Sequence, residues 1–322
     1  MRGVSAFTGI GGFDVGLADA GIETVCQIEW DPHCSTILAR QFPDTMRYGD
    51  RGDVRGTDIG GIDLAHGGFP CQGTSTAAPH RGGLHDERSH HFYEFTRLVG
   101  EYARLVDDTN PRWVVIENPP GLLRSNDGRD MAAVAGHLED LGYGWAYRVV
   151  DGRFFGSPQR RQRVIVVGHR GGDPRPAWAV LGDAGGGVEA DRPGQVGGRT
   201  LGPRPVGGVG DGFQVWRKSA RARAALSKGG YETWVADGFG NTLTGFDGGG
   251  PARQTHLIAQ GGGVRTLTLT EWERLQMFPD GWTEGVPDSA RFTMLGNAMH
   301  VGMAQWLGHR LVSVDQALPS LV

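Results

Sequence analysis

Val4-Ser5-Ala6-Phe7-Thr8-Gly9-Ile10-Gly11-Gly12-Phe13-Asp14-Val15-Gly16-Leu17-Ala18 decides the fold. Val4 to Phe7 reads as a short apolar strand that breaks on Gly9, Gly11 and Gly12, and Phe13 to Ala18 continues with helical spacing. Strand, glycine turn and helix form a nucleotide-cofactor turn, in which missing side chains let a ligand approach backbone N–H groups at a helix start. A second strand, Thr24 to Ile28, ends in Glu29 and Trp30. A strand-end carboxylate accepts hydrogen bonds from ribose hydroxyls, and the neighbouring indole suits an adenine face. An adenosine cofactor is therefore expected. The turn lacks the G-x-G-x-x-G spacing of a pyrophosphate cradle, which favours S-adenosylmethionine over NAD without excluding NAD.

The alternation continues outward from this turn. Pro32 to Gln41 reads as a helix, Asp63 to Gly68 ends an apolar strand, and Trp113 to Ile116 and Val164 to Val167 are further strands. His91 to Val106 and Met131 to Leu141 are helices between them. Near-continuous apolar strands alternating with helices imply a doubly wound, mostly parallel α/β sheet covered on both faces. Ligands bind such sheets at the carboxyl ends of the strands, where Glu29, Cys71 and Glu117 fall. After Arg170 the periodicity is lost in a Gly- and Pro-rich region, with Phe213, Trp216, Tyr231, Trp234 and Phe239 supplying apolar surface for a small irregular domain. Regular structure resumes at Arg265, with a helix from Thr270 through Met277 and a last helix from Met294 to Leu311. The expected division is a catalytic domain over 1–170, an insert over 171–264, and 265–322 completing the catalytic domain.

Composition sets the outer bounds. With 39% hydrophobic and 21% charged residues in 322, the chain is globular, neither disordered nor fibrous. No apolar run approaches the roughly 18–20 residues of a membrane-spanning helix, and Met1 leads into strand-like residues, so a cytoplasmic monomer is expected. Cys26, Cys34 and Cys71 lack C-x-x-C spacing, which argues against a disulfide scaffold or zinc module. A formal net charge of -4 carries no bulk nucleic-acid signal. Locally, Arg199, Arg204, Arg217, Lys218, Arg221, Arg223 and Lys228 accompany a single acid, Asp211, a pattern that suits phosphates or solvent equally. His80, His85, His90 and His91 come without H-E-x-x-H or paired cysteines, so no metal is expected.

Three segments carry chemistry. Gly67-Gly68-Phe69-Pro70-Cys71-Gln72 holds a lone thiol in a rigid loop at a strand end, where a thiolate can attack a ligand, whereas Cys26 and Cys34 read as small buried hydrophobes. Val115-Ile116-Glu117-Asn118-Pro119-Pro120 puts a carboxyl among apolar residues, a setting in which an acid keeps a proton to donate. Gln159-Arg160-Arg161-Gln162-Arg163 runs into the strand at Val164, and strand alternation predicts that Arg161 and Arg163 converge on one side.

These motifs, in this order, resemble those of the DNA (cytosine-5-)-methyltransferases over nearly the whole chain. The matching segments are F-T-G-I-G-G at Phe7, Glu29-Trp30, G-D-V at Gly52, P-C-Q at Pro70, E-N-P at Glu117, Q-R-R-Q-R at Gln159, R-T-L-T-x-x-E at Arg265, L-Q-M-F-P at Leu275 and G-N-A at Gly296. The resemblance implies a Rossmann-like fold that binds S-adenosylmethionine, with 171–264 as the target-recognition domain and Thr242-Leu243 similar to its short Thr-Leu element. It implies Cys71 as the nucleophile at cytosine carbon 6, Glu117 at N3 and the exocyclic amine, and Arg163 with Arg161 orienting a flipped-out base. The cofactor residues it implies are Phe7, Gly9, Ile10, Gly11, Gly12, Glu29, Trp30, Asp53 at the adenine amine, Val54, Pro70, His91 and Asn297. Duplex DNA would meet Gln72, Ser75, Arg217, Lys218, Arg221, Arg223, Thr242 and Leu243. A cognate restriction endonuclease acting separately is a companion the resemblance suggests.

The chain departs from the family pattern at Gly73, at Pro119, at His90-His91-Phe92 and at Met299-His300. His91 raises transfer of a larger, acid-bearing group from a modified sulfonium cofactor. The other readings are the same chemistry on tRNA, a catalytically silent DNA-binding protein, and an NAD-linked oxidoreductase, for which no hydride-acceptor feature is found.

Overall fold

A computed structural model describes residues 1–49, 59–69, 97, 111–182, 240–244, 256–259 and 263–318, and the backbone alone at 195–196, 199–200, 214–218, 234–236 and 260. It divides into two compact units: Met1–Val150 with Gln162–Asp191 and Met303–Val322, and Asp151–Arg161 with Arg192–Gly302.

The first unit is built on the strands expected from the apolar runs. β1 (Arg2–Ala6), β2 (Glu23–Ile28), β3 (Met46–Tyr48), β4 (Leu64–Gly67), β5 (Trp113–Asn118), β6 (Tyr143–Asp151) and β7 (Gln162–Arg170) lie in the order β3-β2-β1-β4-β5-β7-β6. The β1–β2, β2–β3, β1–β4 and β4–β5 pairs are parallel, and β5–β7 is antiparallel. The chain winds outward from β1 through β2 and β3, then returns to the other side of β1 for β4 and β5. The switch point of the sheet therefore lies between β1 and β4, where α/β sheets open a ligand crevice. Every residue of β5 is buried, as a strand covered on both faces requires. Val4, Ala6, Ile28, Ala65, Ile116, Val164 and Val166 share one core, each worth roughly 1.5–3 kcal/mol for the larger side chains.

Under the first helix, α1 (Gly12–Ala18), the sheet carries a buried polar layer. Ser5 and Gln27 pair in register on β1 and β2, and Ser5 and His66 on β1 and β4. Asp14 of α1 accepts from Ser5 Oγ at 3.1 Å and from Gln27 Nε2 at 2.8 Å. His66 is fully buried with its ring 5.0 Å from that of Phe13, and among the described residues neither ring nitrogen has a hydrogen-bond partner. Burial holds its pKa down at about 3.

Local signals explain the helices. α2 (Pro32–Gln41) starts where Asp31 Oδ1 accepts from the His33 and Cys34 N–H groups and Pro32 takes the first helical position. α3 (Arg129–Asp140) and α4 (Arg175–Leu181) follow β5 and β7. The expected helix over 91–106 lies outside the described residues, apart from Arg97.

The second unit holds more regular structure than its glycine content predicts. β10 (Gln214–Lys218), β11 (Trp234–Ala236), β12 (His256–Gln260) and β13 (Gly263–Arg265) form a four-stranded sheet in the order β11-β10-β12-β13, antiparallel throughout, and β8 (Gln195–Val196) pairs with β9 (Arg199–Thr200). α5 (Leu269–Leu275) opens with a capping box between Thr268 and Glu271.

One expectation about the C-terminal part is corrected. The single last helix is two, α6 (Asp288–Asn297) and α7 (Val301–Ala317), because Ala298 turns extended at φ -61°, ψ 147°. Residues 265–302 lie in the second unit and 303–322 in the first. Within the second unit Ser157 Oγ donates to Leu275 O at 2.7 Å and Gln276 Nε2 to Leu295 O at 2.6 Å.

Candidate active site

The turn after β1 is shaped by residues that no other side chains can replace without strain. Gly11, the N-cap of α1, has φ 84°, and a Cβ there would lie 2.6 Å from the Phe42 ring. Phe7 also takes a left-handed conformation, φ 54°, a costly state for a residue with a side chain. A Cβ on Gly9 or Gly49 would instead enter open space. Ala6, Phe7, Ile28, Trp30 and Gly49 line a cavity at this edge of the sheet, and Trp30 keeps 63% of its surface exposed. Ile10 is fully buried and Gly12 begins α1, so these two shape the turn from below.

Glu29 joins the turn to the end of β2. Its Oε2 accepts from Gly9 N at 2.7 Å and its Oε1 from Asp31 N at 2.8 Å. Burial pushes its pKa up, against the pull of those backbone donors. A carboxylate has about four lone-pair sites, so ribose hydroxyls can add to the two bonds already made. The open space over Gly9, the buried carboxylate and the exposed indole fit an adenosine group.

A second carboxylate lies across the switch point. Glu117, near the end of β5, meets Arg163 Nε of β7 at 2.5 Å, and each residue is only 8% exposed. Arg163 also donates from Nη1 to Gln162 O at 2.7 Å. The apolar setting expected for Glu117 is thus completed by a guanidinium. A Cβ on Gly68 would sit 2.7 Å from Glu117 Oε2, so the backbone just past β4 lies directly against the carboxyl. Asn118 Nδ2 donates to Phe69 O at 3.3 Å and ties the same loop to β5. Sequence reading missed Gly68 and Asn118 as builders of this site. The consecutive glycines at a strand end were the available signal of close backbone approach.

Arg161 is placed otherwise than expected. β7 begins at Gln162, so strand alternation does not extend back to Arg161. Fully buried, Arg161 donates to Leu243 O and Gly296 O, each at 3.2 Å, and to Ala298 O at 2.5 Å. The described acceptors of Arg161 differ from those of Arg163, which meets Glu117 and Gln162 O, and the expected convergence of the two is not seen. Leu243 is fully buried, while Thr242 Oγ1 donates to Arg160 O at 2.5 Å. Asn297 is the exposed last residue of α6. Arg217 and Lys218 lie on β10, paired in register with Val235 and Trp234. Asp53, Val54, Pro70, Cys71, Gln72, Ser75, His91, Arg221 and Arg223 lie outside the described residues.

The family model described as C-5 cytosine-specific DNA methylase matches residues 1–179 and 218–313, which includes both carboxylates and the arginine segment. The chain belongs to that family. It is a DNA (cytosine-5-)-methyltransferase. Among curated relatives, the Type II methyltransferase M2.BsuMI of Bacillus subtilis (strain 168) is 30% identical over 97% of this chain and 75% of its own length. The Type II methyltransferase M.HpaII of Haemophilus parainfluenzae is 26% identical over 96% of this chain and 88% of its own. The crystal structure of a DNA modification methyltransferase encoded within an E. coli prophage superposes with a TM-score of 0.65 at 20% identity, over 98% of this chain and 99% of that one. At that identity the likeness shows the methyltransferase fold. No helix among the described residues of this methyltransferase is long and apolar enough to cross a membrane.

Proposed function

We propose that the chain methylates carbon 5 of cytosine in a specific duplex DNA sequence, with Cys71 as covalent nucleophile and S-adenosylmethionine as methyl donor. The observation that carries this reading is the Glu117–Arg163 pair held against Gly68, three residues before Cys71. The chemistry requires such an arrangement. Carbon 5 of the aromatic ring is a poor nucleophile until another nucleophile adds at carbon 6, and the Cys71 thiolate would form that bond. Electron density then moves towards N3, where the Glu117 carboxyl holds the ring through N3 and the exocyclic amine. Thymine offers neither contact. The five donors of the Arg163 guanidinium suffice to hold Glu117 and the carbonyl oxygen of the base together, which stabilises charge as it develops. S-adenosylmethionine, bound by Glu29, Trp30 and the turn at Gly9 to Gly12, supplies an electrophilic methyl group on its sulfonium. Loss of the proton from carbon 5 and departure of Cys71 restore the aromatic ring.

These ring atoms are enclosed in a stacked duplex, so the base is flipped out before reaction. Residues 171–264 supply the reading of the target, and Asp53, His91 and Asn297 complete the cofactor site. Nucleoside mass spectrometry of DNA from cells expressing the protein, beside a Cys71→Ser strain, tests the reading. It predicts 5-methylcytosine that vanishes in the variant. A heavier cytosine adduct would implicate a modified cofactor, and modification confined to RNA would move the substrate.

A further inference from the structure

The segment Pro158–Arg161 is hydrogen-bonded, residue after residue, to Gly240–Leu243. Gln159 and Gly240 form a parallel bridge, flanked by Gly240 N to Pro158 O at 2.8 Å and Arg160 N to Gly240 O at 2.9 Å. Side chains extend the contact in both directions. Gln159 Oε1 accepts from Leu243 N at 3.4 Å, Thr242 Oγ1 donates to Arg160 O, and Arg161 Nη1 donates to Leu243 O.

The same two side chains also reach the helices of this unit. Gln159 Nε2 donates to Leu275 O at the end of α5, and Arg161 donates to Gly296 O and Ala298 O at the end of α6. Carbonyls at a helix C-terminus have no partners within the helix and carry the negative end of its dipole. A guanidinium fork suits them, and both Nη groups of the buried Arg161 find acceptors there. Gln159 and Arg161 are both fully buried, so neither can meet a solvent-borne base without leaving these partners.

We infer that Arg161 and Gln159 are positioning residues that fix the Thr242–Leu243 recognition element to the chain leading into Arg163. This assignment rests on the methyltransferase reading above and adds a division of labour to it. The arginine segment has two halves. Pro158 to Arg161 holds the element that faces the target sequence, and Arg163 holds the carboxylate that faces the base. A displacement of Thr242–Leu243 is thereby passed along two peptide units to Arg163, so an ill-fitting target disturbs the base-holding pair before reaction.

The test uses the full-length protein and three forms: wild type, Arg161→Lys and Thr242→Val. The lysine keeps charge and loses the fork. The valine keeps the branched shape and removes only the hydroxyl that bonds Arg160 O. Bisulfite sequencing of DNA from expressing cells gives the target sequence and the fraction of 5-methylcytosine outside it, while steady-state assays on an oligonucleotide duplex give kcat and KM. Both variants are expected to raise off-target methylation and KM for DNA by about tenfold, the loss expected for one or two hydrogen bonds, with kcat at the target within about threefold.

Unchanged fidelity with kcat lowered a hundredfold or more would overturn the inference and return Arg161 to the base. Unchanged fidelity and KM with only a lower melting temperature would reduce both residues to structural supports and also overturn it. If Arg161→Lys does not fold, Thr242→Val decides alone. No 5-methylcytosine with the wild type would overturn the parent reading, an outcome visible before any variant is compared.

Discussion

Glu29 and Glu117 lie on opposite sides of one switch point and are satisfied by different means. Glu29 accepts from two backbone N–H groups, those of Gly9 and Asp31, whereas Glu117 meets the side chain of Arg163. Backbone donors are fixed once the glycine turn has formed, so the cofactor side needs only neighbours on β1 and β2. A guanidinium must be delivered by another strand, so the base side exists only when β7 has paired with β5. The difference separates a preformed site from one that depends on long-range pairing.

Breaking the base side carries the largest expected effect. Glu117→Ala should lower kcat by about 10²- to 10⁴-fold, the range for a group that holds or moves a proton. It also leaves Arg163 buried without its carboxylate, and removing one member of a buried pair costs about 3–5 kcal/mol. Steady-state kinetics and thermal melting would check both. Glu117→Gln, which retains shape and one acceptor, should recover much of the stability and little of the rate; equal recovery of both would show that the carboxyl matters only as packing.

Much of this contrast was legible in the sequence. The glycine turn, the Asp31-Pro32 helix start and the apolar strands are local signals, and each marked its element to within a few residues. The path of a long side chain is not local. Arg161 and Arg163 look equivalent two residues apart, and only the start of β7 at Gln162 assigns one to carbonyls and the other to Glu117. The break at Ala298 was hidden for the same reason, since its carbonyl and that of Gly296 are held by a residue more than a hundred positions earlier. β6 was missed because it is an edge strand with Tyr147 and Val149 exposed, which blurs the apolar run.

His66, on the strand between the two carboxylates, gives a pH test of the frame they share. Its folded pKa, about 3, lies below the ordinary value near 6.5. The unfolded chain therefore binds a proton more readily. Stability is complete above about pH 6.5 and is lost as pH falls towards 3, by up to about 5 kcal/mol for this group. Asp14, whose pKa is raised by burial, acts in the opposite sense. Urea unfolding of wild type and His66→Leu across pH 4–7 separates the two, and the variant should show the flatter acid limb. Parallel curves would mean that His66 finds a partner when protonated.

The smallest expected effect sharpens the cofactor side. Glu29→Gln turns an N–H₂ group towards one of the two backbone N–H donors, and a buried donor left unmatched costs about 1–3 kcal/mol. KM for S-adenosylmethionine should rise about tenfold with little change in kcat, because the group acts on binding. A fall in kcat at unchanged KM would place Glu29 in the chemistry instead.

Gly68 has a consequence for how this protein can change. The 2.7 Å between its would-be Cβ and Glu117 Oε2 leaves room for a hydrogen atom and for nothing larger. A duplicated copy could therefore vary in segments distant from this point. It could not alter position 68 without moving Glu117. Diversity is channelled away from this point and from Gly67 beside it, whose would-be Cβ lies 2.3 Å from Ala6 O.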